Sequence, residues 1–263
     1  MIDLSNYPYP TYESSKAAGG ILAAVIGISM IAWIFQSVQI RFTPRRPLIL
    51  LLVSHLTVFV HLILRAALST ENRNSRAGFT AISVLIAVGM RTIIIANYDF
   101  LTQVGNLKTW MTRVIAIGPV LVALTSAILM APASTSSYNA DTRDRSFRLR
   151  QASSVMVLIL TVAFYPIWFA TKAMKHMTKL AIILLIISSI SCLFVSIYLV
   201  ITSVDVYYVG SNDQEFWFYV FQFTPIAIAL LTWTILHPKR TLKSTRKPPP
   251  SPEESMQPIA ITI

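Results

Sequence analysis

Ser54, Thr57, His61 and Arg65 follow one another at steps of three, four and four residues, a spacing that stacks all four on one face of a helix. His55 falls off that face. A histidine and an arginine one turn apart could bind an anion or relay a proton. The plainer uses are an interior hydrogen bond for His61, a structural His61–Arg65 pair, and an Arg65 that snorkels to a membrane interface. Arg91 stands apart from these. It lies near the middle of an apolar stretch, and no acid falls at the same depth in any other stretch. A charge that deep needs a partner: backbone carbonyls, Tyr165 or Gln222, or the anionic headgroup of a lipid or substrate. Tyr165 ends a line with Ser154 and Thr161 just before Pro166, and Gln222 precedes Pro225. Ser188, Cys192 and Ser196 form a small-residue face that lets a neighbouring helix approach closely. Most serine and threonine stripes serve such packing. Against that background the ligand-binding candidates are Arg91, His61, Arg65, Ser54, Thr57, Tyr165 and Gln222.

Catalysis has fewer footholds. The chain has no H-E-x-x-H, no paired Cys/His spacing, no G-x-S-x-G and no Walker A loop, so metal, cofactor and nucleotide chemistry are not expected. Without a nucleotide site it is not a primary pump. General acids would come from Asp99, Asp205 or Glu215, with Asp213 beside them, all near the ends of apolar stretches. An intramembrane cyclase would protonate an epoxide with such a carboxyl and stabilise the cation on aromatic faces. The segment SVDVYYVGSNDQEFWFY offers three acids and six aromatics. Aromatics there are first an interfacial belt and secondly the mouth of a pocket.

Seven apolar stretches hold these side chains, at roughly 18–40, 47–67, 79–98, 110–130, 152–173, 180–203 and 216–236. About 20 residues at ~1.5 Å each cross a hydrocarbon core of ~30 Å, and lipid forces each stretch to satisfy its own amides as a helix. The expected fold is all-α, an integral membrane bundle of seven transmembrane helices. Mean hydropathy is +0.62 and only 13 % of residues are charged, against ~25 % in soluble domains. The net charge of +11 therefore reflects loop topology and not a nucleic-acid partner.

Apart from Arg65 and Arg91, thirteen basic residues fall on one side of the stretches (Arg41, Arg45, Arg46, Lys108, Arg113, Lys172, Lys175, Lys179, Lys239, Arg240, Lys243, Arg246, Lys247). Seven fall on the other (Lys16, Arg73, Arg76, Arg143, Arg145, Arg148, Arg150). The positive-inside rule then puts the N-terminus outside or lumenal and the C-terminus in the cytosol. The four arginines of the 131–150 loop run against it. Expected boundaries are a polar segment at 1–17, the bundle at 18–240 and a disordered proline-rich tail at 241–263, with the first span as an uncleaved signal anchor. The lone cysteine, Cys192, excludes an intrachain disulfide and no N-x-[ST] sequon occurs, which suits the endoplasmic reticulum as well as the plasma membrane.

Several segments resemble the fungal seven-span family of aminocholesterol-resistance and lipid-translocating exporter-like proteins. Tyr9-Pro10-Thr11 is similar to that family's Tyr-x-Pro-Ser entry, and Gln36 and Gln39 lie where its first helix ends in His/Gln. SCLFVSIYLVITSVDV, the run from Glu215 to Phe221, Pro225 and His237-Pro238 resemble its last region, with Lys239 in place of a glycine. Of the family's Glu-x-x-Gly-Tyr-x-x-Arg pattern in span two only Arg65 remains, and its pattern before span four is reduced to Asp99…Gln103-Val104-Gly105-Asn106. The resemblance implies a fungal source and a non-enzymatic protein that binds or moves an amphiphilic lipid-like molecule, with membrane lipids and lipophilic small molecules as partners. The alternative is an intramembrane enzyme or accessory protein of secondary metabolism, such as indole-diterpene biosynthesis. A seven-helix receptor ranks third, since helix count alone is analogy.

Overall fold

A computed structural model describes residues 7–104, 107–171 and 177–241. Gly105, Asn106, Lys172, Lys175 and the 242–263 tail, on which some of the readings above rest, lie outside the described residues. All seven expected spans are helices long and apolar enough to cross a membrane, and no strand occurs among the described residues. They are α1 (Lys16–Gln39), α2 (Arg45–Ala67), α3 (Arg76–Val104), α4 (Thr109–Ser136), α5 (Arg143–Ala170), α6 (Lys179–Ile201) and α7 (Glu215–Ile235).

Successive helices pack side by side into a ring closed by α1 against α7, and α3 runs through the middle against α2, α4, α5, α6 and α7. The bundle is apolar outside and hydroxyl-rich inside. Ile28, Phe35, Ile128, Ile159, Phe169 and Ile235 face outward, while Ser54, His55, His61, Asn97, Ser126 and Ser188 are buried. That is the arrangement a lipid surround selects, because polar groups there must find partners inside the bundle.

Small residues set the closest approaches. A Cβ on Gly89 would lie 2.7 Å from Val58 Cγ2. Its absence lets α2 and α3 meet, and Ser54 Oγ donates to the Gly89 carbonyl at 2.7 Å. Elsewhere Ser188 donates to Asn97 at 2.8 Å, and Thr161 meets Ser196 at 2.9 Å.

Hydropathy located the spans but not their full lengths. α5 starts at Arg143 rather than near 152, and α3 continues past Asn97 and Asp99 to Val104. The α5 extension is strongly polar and the α3 extension mixes polar residues with buried Phe100 and Leu101. In α7 the turn Phe218–Phe223 is π-helical. Pro225 has no N–H and crowds the carbonyl four residues earlier, and widening the preceding turn relieves this. Such bulges recur at functional sites.

Candidate functional site

A cavity of about 200 Å³ opens between α2, α3, α5, α6 and α7 towards the end of the bundle that carries the N-terminal segment. Its wall combines Ile82, Ile86, Met90, Met130, Val157, Leu199 and Phe218 with four arginines, Arg65, Arg73, Arg91 and Arg150.

Arg91, from the middle of α3, is held by three neutral oxygens. Its Nε donates to Ser126 Oγ at 2.9 Å, Nη2 to Ser153 Oγ at 3.1 Å, and Nη1 to the Ala87 carbonyl at 3.1 Å. Of the partners expected from sequence, a backbone carbonyl is present; Tyr165 and Gln222 are not among its hydrogen bonds. The hydroxyls of α4 and α5 take their place, and no carboxylate among the described residues pairs with it.

Arg65, in the last turn of α2, lies at the cavity's outer end and is 5 % exposed. It forms an ion pair with Glu215 Oε1 at 2.9 Å and donates to Tyr12 Oη and Ser14 Oγ. Its guanidinium carbon sits 4.0 Å from the centre of the Phe218 ring. Of the uses open to His61, the interior hydrogen bond is the one formed and the pair with Arg65 is not. The helix places the two residues one turn apart, but Arg65 turns to α7 and the N-terminal segment. His61 bonds through Nδ1 to the Ile82 carbonyl at 2.9 Å, and its buried Nε2 has no hydrogen-bond partner.

The mouth of the cavity is crossed by residues 7–15. Tyr7 meets Ser146 at 2.9 Å, Tyr208 Oη donates to the Pro8 carbonyl at 2.6 Å, and Arg73 donates to the Tyr12 carbonyl at 2.7 Å and to Ser14 Oγ. Burial holds the Arg73 guanidinium below its ordinary pKa, as expected of a cation without full compensation. Arg150 lies against the rings of Tyr208 and Tyr7, 5.2 and 5.6 Å from their centres.

The remaining sequence candidates divide. Gln222 lines the cavity, as do His61, Arg65 and Arg91. Ser54 and Thr57 serve α2–α3 packing, and Thr57 bonds back to the Ser54 carbonyl. Tyr165 is partly buried and does not line the cavity. The three candidate acids are not brought together. Asp99 is buried at the opposite end of the bundle in an ion pair with Arg46 at 3.2 Å. Asp205 accepts from the Val206 amide beside it, and Glu215 is held by Arg65 and the Ser15 amide. In the aromatic loop Tyr208 and Phe218 line the cavity, whereas Tyr207, Phe216 and Trp217 are exposed. No group of three or more His, Cys, Asp or Glu among the described residues could hold a metal.

Sequence reasoning missed Arg73 and Arg150 as cavity residues because both lie outside the apolar windows. One signal pointed to Arg150: it belongs to the arginine-rich loop that runs against the positive-inside count. Compared with protein-family models, curated proteins and solved structures, the chain finds no match.

Proposed function

We propose that this chain is a multi-pass membrane protein that binds an amphiphilic, lipid-like molecule in the arginine-lined cavity and moves it across the bilayer. One observation carries the reading: within a bundle of membrane-spanning type, one cavity joins an apolar wall to four arginines, of which only Arg65 has a carboxylate partner among the described residues. An apolar wall with a few convergent polar groups is the usual form of a small-molecule site. The polar head meets Arg91, Arg65 lies at the entrance, and the apolar part follows α3, α5 and α6.

Asp99 lies at the far end of the bundle, Asp205 does not line the cavity and Glu215 is already paired, which counts against the cyclase alternative. The reading keeps the N-terminus outside or lumenal and the tail in the cytosol, in the endoplasmic reticulum or plasma membrane. Four of the seven basic residues on the outer side, Arg73, Arg76, Arg143 and Arg150, lie over tyrosine rings. Those arginines have a local role that does not depend on topology.

The test is Arg91→Leu in purified protein reconstituted into vesicles, with binding and flipping of a fluorescent anionic amphiphile as readouts. Loss of charge-assisted hydrogen bonds at ~1.5–3 kcal/mol is expected to weaken binding by about tenfold or more. A folded variant with unchanged binding and flipping removes the reading's central residue.

A further inference from the structure

Resting on that reading, we infer that the head the cavity accepts is a single carboxylate, carried on one apolar chain, and that Arg91 alone among the four arginines is its cation.

Depth is the first argument. Ser54 bonds to the Gly89 carbonyl and His61 to the Ile82 carbonyl, so α2 and α3 run antiparallel with seven residues of one matching seven of the other. Four residues past His61, Arg65 then lies opposite Gly78, thirteen residues of α3 from Arg91, or about 20 Å at ~1.5 Å per residue. Arg73 donates to the Tyr12 carbonyl and to Ser14 Oγ, in the segment that crosses the mouth. Arg150 lies against the Tyr7 and Tyr208 rings at that same end. No single head group reaches from one end of this ladder to the other. A head seated deep in the bundle has Arg91 for its cation.

Charge and donor count are the second. Arg91 has no carboxylate partner among the described residues, only the neutral oxygens of Ser126, Ser153 and Ala87. One uncompensated cation within a span is matched by one negative charge, and a second negative charge there would be buried unpaired at high cost. A guanidinium has five N–H donors. Arg91 spends three, one each from Nε, Nη1 and Nη2, which leaves one N–H on each terminal nitrogen. A carboxylate has two oxygens to accept them. The three bonds already made also fix the guanidinium plane before a ligand arrives, which spares that ordering cost on binding.

The wall sets the rest of the ligand. Ile82, Ile86, Met90, Val157 and Leu199 line the cavity with Arg91 and suit a hydrocarbon chain. The cavity's 200 Å³ is roughly the share of six or seven liquid waters at ~30 Å³ each. That is enough for a carboxyl and the start of one chain, but not for the two chains and headgroup of a glycerophospholipid. A monocarboxylic acid with a single apolar chain meets the conditions of depth, charge and room together.

The experiment uses the full chain in a neutral maltoside detergent at pH 8, with binding titrations of dodecanoate, dodecyl phosphate, dodecanol and acetate. Dodecanoate is expected to bind at least about tenfold more tightly than the other three. Arg91→Gln should weaken it by about tenfold to a hundredfold and erase its advantage over dodecanol. Arg91→Lys, which keeps the charge, should recover part of the loss. Dodecyl phosphate or dodecanol binding as tightly as dodecanoate overturns the inference and leaves the amphiphile reading standing. Acetate binding as tightly as dodecanoate keeps the carboxylate site and overturns the amphiphile. Unchanged dodecanoate binding by a folded Arg91→Gln variant overturns the assignment to Arg91 in both readings. If that variant does not fold, the order of the four ligands on the unaltered chain still decides, and if none of the four binds, both readings fall.

Discussion

At the scale of single residues, the Arg65–Glu215 contact separates structure from chemistry. Arg65 is enclosed by Phe218, Tyr12 and Tyr219 and is matched by one carboxylate. Removing one partner of a buried pair strands the other, at a cost of about 3–5 kcal/mol. Glu215→Met and Arg65→Met are each expected to lower stability by roughly 2–4 kcal/mol, the first because it leaves a cation caged in aromatics. The double variant should lose much less than the sum, and a double-mutant cycle on thermal unfolding measures the coupling. Additive losses would mean the pair does not hold α2 to α7. Arg91 could be picked out from sequence because a cation at that depth has no acid to meet. Its serines could not, since Ser126 and Ser153 lie on α4 and α5 and a sequence gives the faces of helices but not their neighbours. Glu215 was noticed as an acid of the aromatic loop, yet its partner lies 150 residues earlier in the chain.

At the scale of elements, the spans were legible because lipid imposes a length and a polarity that hydropathy reads directly. The joint between α1 and α7 was legible only as two separate motifs. The end of α1 and the His237-Pro238 turn meet there: Gln36 donates to the Thr234 carbonyl at 3.2 Å, and Lys239 Nζ to Gln39 Oε1 at 2.6 Å. His237 is fully buried at their centre, 4.5 Å from Trp33 between ring centres. The Lys239 amide donates to its Nδ1 at 3.1 Å, so the proton sits on Nε2, facing Ser37 Oγ at 3.2 Å. Burial, reinforced by Lys239 and Arg240, pulls its pKa down to about 4. As pH falls from 6.5 towards 4, the unfolded chain takes up a proton that the folded joint refuses, so stability declines through that window. The full effect is up to about 3 kcal/mol. Thermal unfolding in detergent at pH 7.5 and pH 5 should show the loss. His237→Asn, which keeps an acceptor for the Lys239 amide, should be less stable at pH 7.5 and show a shallower slope. An unchanged slope would place the titrating group elsewhere.

At the scale of the whole molecule, orientation decides which compartment the cavity opens to. Alternation of the seven helices puts the mouth, the 7–15 segment and the Arg65–Glu215 pair at one end. Lys108, Lys239 and the Arg46–Asp99 pair lie at the other. The bare count of basic residues, thirteen against seven, is weakened by the arginine-rich loop before α5. The tyrosine contacts of Arg143 and Arg150 remove part of that conflict, because these arginines would be retained for packing whichever way the chain inserted. Discounting them makes the asymmetry steeper, and the mouth should therefore face the outside or the lumen. The chain supplies a clean background for the test, since its single cysteine, Cys192, is free and 3 % exposed. Glu13 and Lys108 are both exposed, at opposite ends. In intact cells or sealed right-side-out vesicles, a membrane-impermeant maleimide should label Glu13→Cys at once and Lys108→Cys only after permeabilisation. In sealed microsomes, where the lumen is protected, the order should reverse. The opposite pattern in both preparations would invert the topology and open the cavity to the cytosol.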